Sequence, residues 1–392
     1  MLTNRQLFFN HLAQTSETPL ALEIEKAEGI YLFDTYGKKY IDLISGISVS
    51  NVGHRHPKVL SAIQQQLDKY MHLMVYGEYV QSPQVRLAKR LSEYLPESLS
   101  SVYFVNSGSE AVEGSMKLAK RFTGRTEIIS FKNAYHGSTQ GSLSIMGNEE
   151  FKSAFRPLLP DTRQIRFNNT DDLKYITNKT AAVIVETIQG EAGAIVPQND
   201  FLKHLRSRCN ETGTLLIADE IQCGYGRTGK LFAFEHFGFI PDILCLAKGM
   251  GGGMPIGAFI SSKKIMASLT HNPILGHITT FGGHPVCCAA SEATLKVLID
   301  EKLVEAVQKK ELLLRTLLKH PKIKAINGMG LLLSVEFESY EQNKTIIDKC
   351  IENGVITDWF LFNSHSMRIA PPLTITEEEI RNACAVIVQS IN

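Results

Sequence analysis

The feature that most constrains the fold of this chain is an alternation, through its middle part, of short apolar runs with amphipathic stretches. The apolar runs are rich in β-branched residues, and this alternation is typical of βαβ units with parallel strands. The helical part of the pattern is clearest where Phe201, Leu202, Leu205 and Cys209 fall on one stripe. The sequence therefore predicts an α/β fold with a mainly parallel sheet. The predicted strands are residues 102–105, 127–131, 181–185, 214–218, 242–246 and 256–260.

The pattern changes from residue 291 onward. Long helical runs are followed by the segments GLLLSVEFES and MRIAPPL, and the chain closes with an amphipathic helix, EEEIRNACAVIVQSI. A length of 392 residues is typical of two or three domains. We expect an N-terminal segment (1–50) that joins a small domain, a large domain (51–290) and a smaller C-terminal α+β domain (291–392).

Charge and cysteine usage narrow the class of protein. Lys and Arg number 41 and Asp and Glu number 40, which leaves a net charge of +1. Without a basic field, we expect neither nucleic acid nor a membrane as a partner, and small molecules fit better. Seven cysteines lie scattered without a C-x-x-C pair, and no long apolar run is present, so we expect a cytoplasmic protein.

Polar residues directly follow several of the predicted strands. Ser107, Glu186, Asp219 and Lys248 stand at these positions, and open α/β sheets bind ligands at the carboxyl ends of their strands. Taken singly, each residue has an ordinary explanation as a helix cap or a solvated charge. Taken together, they predict a ligand site at one edge of the sheet.

Lys248 is the most informative of these residues. It ends an apolar strand and is followed by glycines in the segment LCLAKGMGGG, which permits close approach of a planar ligand. A half-buried lysine has a lowered pKa, and its neutral amine can attack an aldehyde to form a Schiff base. Asp219 supplies the carboxylate that keeps a pyridine nitrogen protonated. The alternative for Lys248 is an ordinary strand-end lysine beside a flexible loop. The alternative for Asp219 is an ordinary strand-end cap.

The segment VNSGSEAVEGSMKLAKRF predicts a strand, a tight turn and a helix. Ser107 and Glu110 have the spacing of a capping box, and the exposed amides of a helix start attract phosphate. A full G-x-G-x-x-G motif does not follow this strand, which disfavours a dinucleotide-dependent oxidoreductase.

An ordered series of motifs covers nearly the whole chain. In sequence order they are YLFDTYGKKYIDLISGISVSNVGHRHP, NSGSEAVE, NAYHGST, VETIQGEAG, IADEIQCGYGRTGK, LAKGMGGGMPIGA, TTFGGHP and MRIAPPL. The series resembles class III (ω-type) aminotransferases of the acetylornithine, ornithine and 4-aminobutyrate group. The resemblance implies a fold-type I, pyridoxal-phosphate-dependent transferase with that cofactor in the large domain.

The resemblance also assigns residues to the cofactor. Lys248 is implied as the Schiff-base lysine, Asp219 as the partner of the pyridine nitrogen, and Gln222 as a hydrogen-bonding partner near the phenolic oxygen. The phosphate turn is implied to be Ser107, Gly108 and Ser109. Tyr135 is implied to stack on the cofactor ring, its neighbour His136 to be structural or catalytic, and Glu186 to orient the site. Thr280 is implied to bind the phosphate of the neighbouring subunit, in a homodimer with shared active sites.

Substrate contacts are implied as well. Arg368 matches the arginine that binds a substrate carboxylate, and Glu191 matches the glutamate that covers it. Ser138 stands where many acetylornithine enzymes have arginine, and Ile47 where ornithine enzymes have tyrosine. Both departures favour 4-aminobutyrate, other ω-amino acids and diamines as amine donors.

The predicted reaction is transamination from such a donor to a 2-oxo acid acceptor, 2-oxoglutarate or pyruvate, with 2-oxoglutarate favoured. A mutase, racemase or decarboxylase on the same fold is an alternative, as is a non-catalytic binding protein. His54 and His56 lie two residues apart without further clustered ligands, so we expect no metal site.

Overall fold

The computed structural model describes residues 2–392. The strands are β1 (Ile24–Glu28), β2 (Tyr31–Asp34), β3 (Lys39–Asp42), β4 (Ser101–Val105), β5 (Glu127–Phe131), β6 (Thr162–Ile165), β7 (Thr180–Glu186), β8 (Leu215–Asp219), β9 (Ile243–Leu246), β10 (Gly257–Ser261), β11 (Ala325–Met329), β12 (Leu332–Glu336), β13 (Val355–Ile356), β14 (Trp359–Phe360) and β15 (Asn363–Ile369). The helices are α1 (Asn4–His11), α2 (Ser45–Ser48), α3 (Pro57–Leu67), α4 (Ser82–Tyr94), α5 (Gly108–Thr123), α6 (Gln140–Ser144), α7 (Phe201–Thr212), α8 (Lys263–Met266), α9 (Pro285–Asp300), α10 (Leu303–Leu317), α11 (Tyr340–Glu352) and α12 (Glu377–Ile391).

The largest sheet has seven strands in the order β4-β10-β9-β8-β7-β5-β6. Strand β10 runs antiparallel to both of its neighbours, and the other pairs are parallel. The six predicted strands all lie in this sheet, so the predicted mainly parallel α/β fold is confirmed. Strand β6 was not predicted, because its sequence TRQI is short, mostly polar and only partly buried at the sheet edge.

The central strands are buried on both faces, which explains their continuous apolar sequences. Successive side chains of a strand point to opposite faces. Ile184 and Ile217 accordingly pack in the cluster that contains residues of α5, whereas Val183 and Leu216 pack in the cluster that contains residues of α7. Helices therefore cover both faces, and the strand ends remain to form a site.

The C-terminal part has the predicted α+β composition. Its sheet has the antiparallel order β11-β12-β15-β14, and α11 packs against β15. The N-terminal strands β1, β2 and β3 form a third sheet, which the short strand β13 completes by pairing parallel to β3. The first 50 residues thus contact the C-terminal part, while α9 runs through residue 290. The exact division into domains stays a prediction.

The terminal helix α12 coincides with the predicted amphipathic segment. Its N-cap Thr376 forms a reciprocal capping box with Glu379. Within residues 2–392, no helix combines the length and the apolar character that crossing a bilayer requires.

Candidate active site

A cavity of ≈ 380 Å³ opens at the carboxyl ends of the parallel strands. It lies where β4, β5, β7, β8 and β9 end, since each of these strands runs in the same direction. The sequence predictions that the structure brings together here line the cavity. They are Ser107, Gly108, Ser109, Tyr135, His136, Glu186, Asp219, Gln222 and Lys248.

Lys248 follows β9 and is the only lysine or arginine among the described residues that line the cavity. Its backbone has a φ of 47°, in the left-handed region that non-glycine residues rarely adopt. A Cβ at the next residue, Gly249, would lie 2.5 Å from Nδ2 of Asn51, so only glycine allows this approach. Burial lowers the pKa of Lys248, although the nearby carboxylate of Glu191 partly offsets the effect. The amine is thus more readily neutral than that of an exposed lysine.

Asp219 and Glu186 end adjacent strands in register, so their carboxylates share one face of the sheet. Oδ2 of Asp219 lies 2.8 Å from Nδ1 of His136. Burial, and then the charge of Asp219, raise the pKa of Glu186 well above its usual range. The Glu186 carboxylate accepts hydrogen bonds from the backbone N–H groups of Tyr135 (2.7 Å) and Gly190 (2.8 Å). Glu186 therefore holds two loops in place around the cavity.

The predicted phosphate turn connects β4 to α5. Ser107 is the N-cap, and its hydroxyl accepts a hydrogen bond from the N–H of Glu110 at 3.2 Å. The reciprocal bond of the predicted capping box is absent from the described contacts, because Glu110 Oε2 accepts instead from the N–H of Asn106 at 2.8 Å. The first-turn amides of α5 remain able to bind an anion.

Glycines keep the space at this turn open. A Cβ at Gly137 would overlap Oγ of Ser109, and a Cβ at Gly257 would overlap the carbonyl oxygen of Ser107. Nε2 of His136 is buried and has no hydrogen-bond partner among the described residues. The turn thus leaves room for an anionic group close to the start of α5, and His136 keeps one buried nitrogen without a partner among the described residues.

Arg368 lies behind the cavity rather than in its wall. Its Nη1 and Nη2 donate to the two carboxylate oxygens of Glu191, each at 3.0 Å. Both side chains are nearly fully buried. Burial alone would raise the pKa of Glu191, but the charge and the hydrogen bonds of Arg368 lower it below its usual value. Gln222 connects this pair to the cavity, because its Nε2 donates to Oε1 of Glu191 at 3.3 Å.

Besides Arg368 and Glu191, three further predicted residues do not line the cavity of this chain. Thr280 is exposed in the loop before α9, and Ile47 is half-buried with a φ of 63°. Ser138 is exposed, and its hydroxyl lies 3.1 Å from that of Tyr135. Their roles toward substrate and partner stay predictions.

The two histidines of the GHRHP segment make contacts of another kind. Nε2 of His54 lies 2.8 Å from Oδ2 of Asp42, and Nε2 of His56 lies 3.4 Å from Oε2 of Glu301. Each histidine therefore contacts a single carboxylate.

Other residues around the cavity were missed. The apolar side is formed by Val49, Ile188, Met254 and Ile256, and an apolar side chain by itself gives no signal of a site. Asn106 also lines the cavity. Because Asn106 directly precedes the predicted phosphate turn, its position in the sequence could have identified it as a cavity residue.

Comparisons with known proteins agree with this geometry. The sequence profile of the family described as aminotransferase class-III matches residues 12–391. The acetylornithine aminotransferase of Methanopyrus kandleri is 38% identical over 384 residues, which cover 97% of this chain and 96% of the relative. The acetylornithine aminotransferase of Clostridium acetobutylicum is 39% identical over 380 residues, covering 94% and 95%.

Solved structures are similar over almost the whole chain. An ornithine aminotransferase from Toxoplasma gondii, whose active site has partial occupancy of PLP, superimposes with a TM-score of 0.91 at 31% identity. The match covers 98% of this chain and 92% of that protein. A transaminase from the marine bacterium Virgibacillus has a TM-score of 0.93 at 28% identity, covering 99% and 98%.

Proposed function

Because this chain belongs to the class-III aminotransferases and has their fold-type I architecture, we propose that it transfers the amino group of an ω-amino acid or a diamine to 2-oxoglutarate, with pyridoxal phosphate as cofactor. The observation that carries the proposal is one cavity that combines Lys248, Asp219 and the start of α5. An amine, a carboxylate and an anion-binding turn are the groups that this cofactor requires.

The cavity fits the cofactor in chemical terms. The amides and hydroxyls of Ser107, Gly108 and Ser109 would hold the phosphate, and the space that Gly137 leaves at Ser109 supports this assignment. Asp219, fixed by the 2.8 Å contact with His136, would hold the protonated ring nitrogen. When bound, the cofactor supplies an aldehyde that takes up the amino group and a ring that withdraws electrons from the substrate carbon.

Lys248 is proposed as the group that holds the cofactor and moves the proton. Since its pKa is lowered by burial, its Nζ is available in the neutral form that accepts a proton from the substrate carbon. The same nitrogen, once protonated, can return that proton on the other side of the reaction. Val49 and Met254 belong to the apolar part of the cavity wall, which would limit the access of water to this nitrogen once the cofactor fills the cavity.

The pair of Arg368 and Glu191 is proposed to distinguish the two substrates. With Glu191 in place, Arg368 is fully paired and presents no free charge to a donor that enters by its amino end. A 2-oxoglutarate carboxylate would displace Glu191 and take the same two N–H groups. The curated relatives are named for acetylornithine, which supports a donor whose reacting amine is distant from its carboxylate.

A homodimer is part of this proposal. Large apolar side chains are exposed on two adjoining segments, residues 71–80 and residues 274–281. In the first, Met71 is 65% and Val80 is 95% exposed, and in the second Ile274 is 77% exposed. The segments meet where the ring of His72 lies 4.9 Å from that of Phe281. Such a patch supports a protein interface, and Thr280 lies in the second segment, from which it would reach the partner's phosphate site.

A donor screen tests the proposal. Purified protein loaded with pyridoxal phosphate is incubated with acetylornithine, ornithine, 4-aminobutyrate, lysine or putrescine, each with 2-oxoglutarate or pyruvate. We expect glutamate from 2-oxoglutarate with at least one donor, and none from Lys248→Ala. Carbon dioxide or an isomerised product without an acceptor would contradict transamination. Bound cofactor without turnover of any donor would favour a binding protein.

A further inference from the structure

Arg368 has a second carboxylate partner besides Glu191. Nε of Arg368 donates to Oδ1 of Asp358 at 2.8 Å, on the side of the guanidinium that faces away from Glu191. The two partners thus use different N–H groups of one side chain. Displacing Glu191 would leave the bond to Asp358 intact.

The hairpin around Asp358 fixes the guanidinium from further directions. The backbone N–H of Arg368 donates to the carbonyl of Asp358 at 2.9 Å. The guanidinium carbon lies 4.4 Å from the ring centroid of Phe360, and Nη2 lies 3.4 Å from the carbonyl oxygen of Trp359. One face of the guanidinium and its Nε are therefore occupied, and the edge formed by Nη1 and Nη2 is left for a single bidentate carboxylate.

From this arrangement we propose that Asp358 is a positioning residue, which holds Arg368 so that Glu191 and the substrate carboxylate exchange on the same edge. The inference rests on the proposed function, in which Arg368 binds the acceptor. A guanidinium that lost the bond to Asp358 would keep only the ring of Phe360 against one face and the 3.4 Å contact with the Trp359 carbonyl. It could then turn within its plane, and Glu191 would be able to move onto Nε. The substrate would meet an edge that is no longer presented to the cavity.

The charge of Asp358 has a smaller effect on this exchange than its position. Asp358 repels the Glu191 carboxylate and an incoming substrate carboxylate alike, because both occupy the same edge of Arg368. The repulsion therefore largely cancels when one anion replaces the other. Asparagine at this position keeps an oxygen that can accept from Nε, whereas alanine removes it.

The test measures KM and kcat for 2-oxoglutarate, and the half-reaction with glutamate, in loaded Asp358→Ala, Asp358→Asn and Arg368→Gln enzymes. Asp172→Ala is the matched control, since Asp172 accepts from Nε of Arg166 at 2.9 Å but does not line the cavity. We expect Asp358→Ala to raise the KM for 2-oxoglutarate, and the half-saturating glutamate concentration in the half-reaction, about tenfold. The kcat should stay within about twofold, as for the loss of one charge-assisted hydrogen bond. Asp358→Asn should stay within about threefold of the unmodified enzyme.

The outcomes separate two claims, that Arg368 binds the acceptor carboxylate and that Asp358 positions Arg368. An unchanged KM in Asp358→Ala, together with a raised KM in Arg368→Gln, overturns the role of Asp358 and leaves the acceptor site standing. An unchanged KM in Arg368→Gln overturns both. If Asp358→Ala does not fold, Asp358→Ser is used in its place. If Asp358→Ala or Asp358→Ser lowers kcat or thermal stability but leaves KM unchanged, the role of Asp358 is only structural.

Discussion

At the scale of single residues, the site combines groups whose charge states depend on their surroundings. Burial lowers the pKa of Lys248 and raises that of Glu186, so both groups are shifted toward their neutral forms. Arg368 behaves differently. Burial would lower its pKa, but Glu191 and Asp358 raise it above its usual value. The structure thus places a readily neutral amine in the cavity and, behind the cavity wall, a charged guanidinium that Glu191 covers.

Donor choice is expected to depend on Ser138. Its side chain is exposed beside Tyr135, so a longer side chain can be accommodated. We expect Ser138→Arg to raise kcat/KM for acetylornithine, relative to 4-aminobutyrate, about tenfold, because a guanidinium fork binds a carboxylate bidentately. Steady-state kinetics with both donors measure the ratio. Ser138→Lys is the control and should give a smaller gain, and an unchanged ratio in the arginine variant would contradict the assignment.

At the scale of secondary-structure elements, the predicted phosphate turn depends on how closely the loop after β5 approaches the start of α5. Gly137→Ala would place a Cβ against Ser109 Oγ at a φ of 122°. Overpacking of this kind costs about 1–3 kcal/mol, so we expect the affinity for pyridoxal phosphate to fall about tenfold or more. Fluorescence or absorbance titration of the cofactor-free chain checks this.

Gly124→Ala is the control for backbone strain. Gly124 has a φ of 68° at the C-cap of α5, no atom lies within 4 Å of the position that a Cβ would take there, and the residue has no place in the cavity wall. Its substitution should reduce stability and leave cofactor affinity unchanged. Equal affinity losses in the two variants would show that overlap at Ser109 is not the cause.

Glu220 connects the end of β8 to the short helix Ala233–His236. Its carboxylate accepts from the N–H groups of Ala233 and Phe234, each at 2.6 Å, and from the hydroxyl of Thr187. Burial raises its pKa to about 7. A carboxyl group whose folded-state pKa is raised binds more protons when folded, so its contribution to stability is lost as pH rises from about 4.5 to 7.

The loss from Glu220 should amount to up to about 3 kcal/mol of unfolding free energy at pH 7. Thermal denaturation of the cofactor-free chain at pH 5 and pH 7 measures it. In Glu220→Gln, which has no ionisable group here, the midpoint should fall less over this interval than in the unmodified chain. An identical fall in both proteins would contradict the shift.

The strands and the strand-end residues could be predicted because local periodicity and short motifs determine them. Ser107, Asp219 and Lys248 each follow an apolar run in the sequence, and parallel strands bring such ends together. The N-terminal sheet β1–β3 was not predicted. Its strands are short, and β1 is mostly exposed, so their sequences lack a clear alternation.

Contacts between distant segments could not be predicted in the same way. Arg227 is completely buried and donates to the carbonyls of Leu331 (3.0 Å) and Pro371 and to Oδ1 of Asn51. Its partners lie in three separate parts of the chain, and nothing in the local sequence identifies them. The same holds for Asp358, whose relation to Arg368 depends on the hairpin of β14 and β15.

At the scale of the whole molecule, the proposed function requires two chains for each active site. Lys248→Ala should be inactive through loss of the amine, and Thr280→Asp should be inactive because its carboxylate repels the partner's phosphate. Mixed and reassorted subunits should recover about a quarter of the unmodified activity, since a heterodimer contains one site with both residues intact. Activity of the mixture, compared with each variant alone, measures this. If mass spectrometry demonstrates heterodimers but the mixture recovers no activity, Thr280 belongs to the active site of its own chain.

The proposed function depends above all on Lys248 as the residue that binds the cofactor. Borohydride reduction of the protein loaded with pyridoxal phosphate, followed by peptide mass spectrometry, tests this role directly. We expect a phosphopyridoxyl group on Lys248, together with loss of the visible absorbance band in Lys248→Ala. A label on another lysine, or an unchanged band in Lys248→Ala, would contradict it.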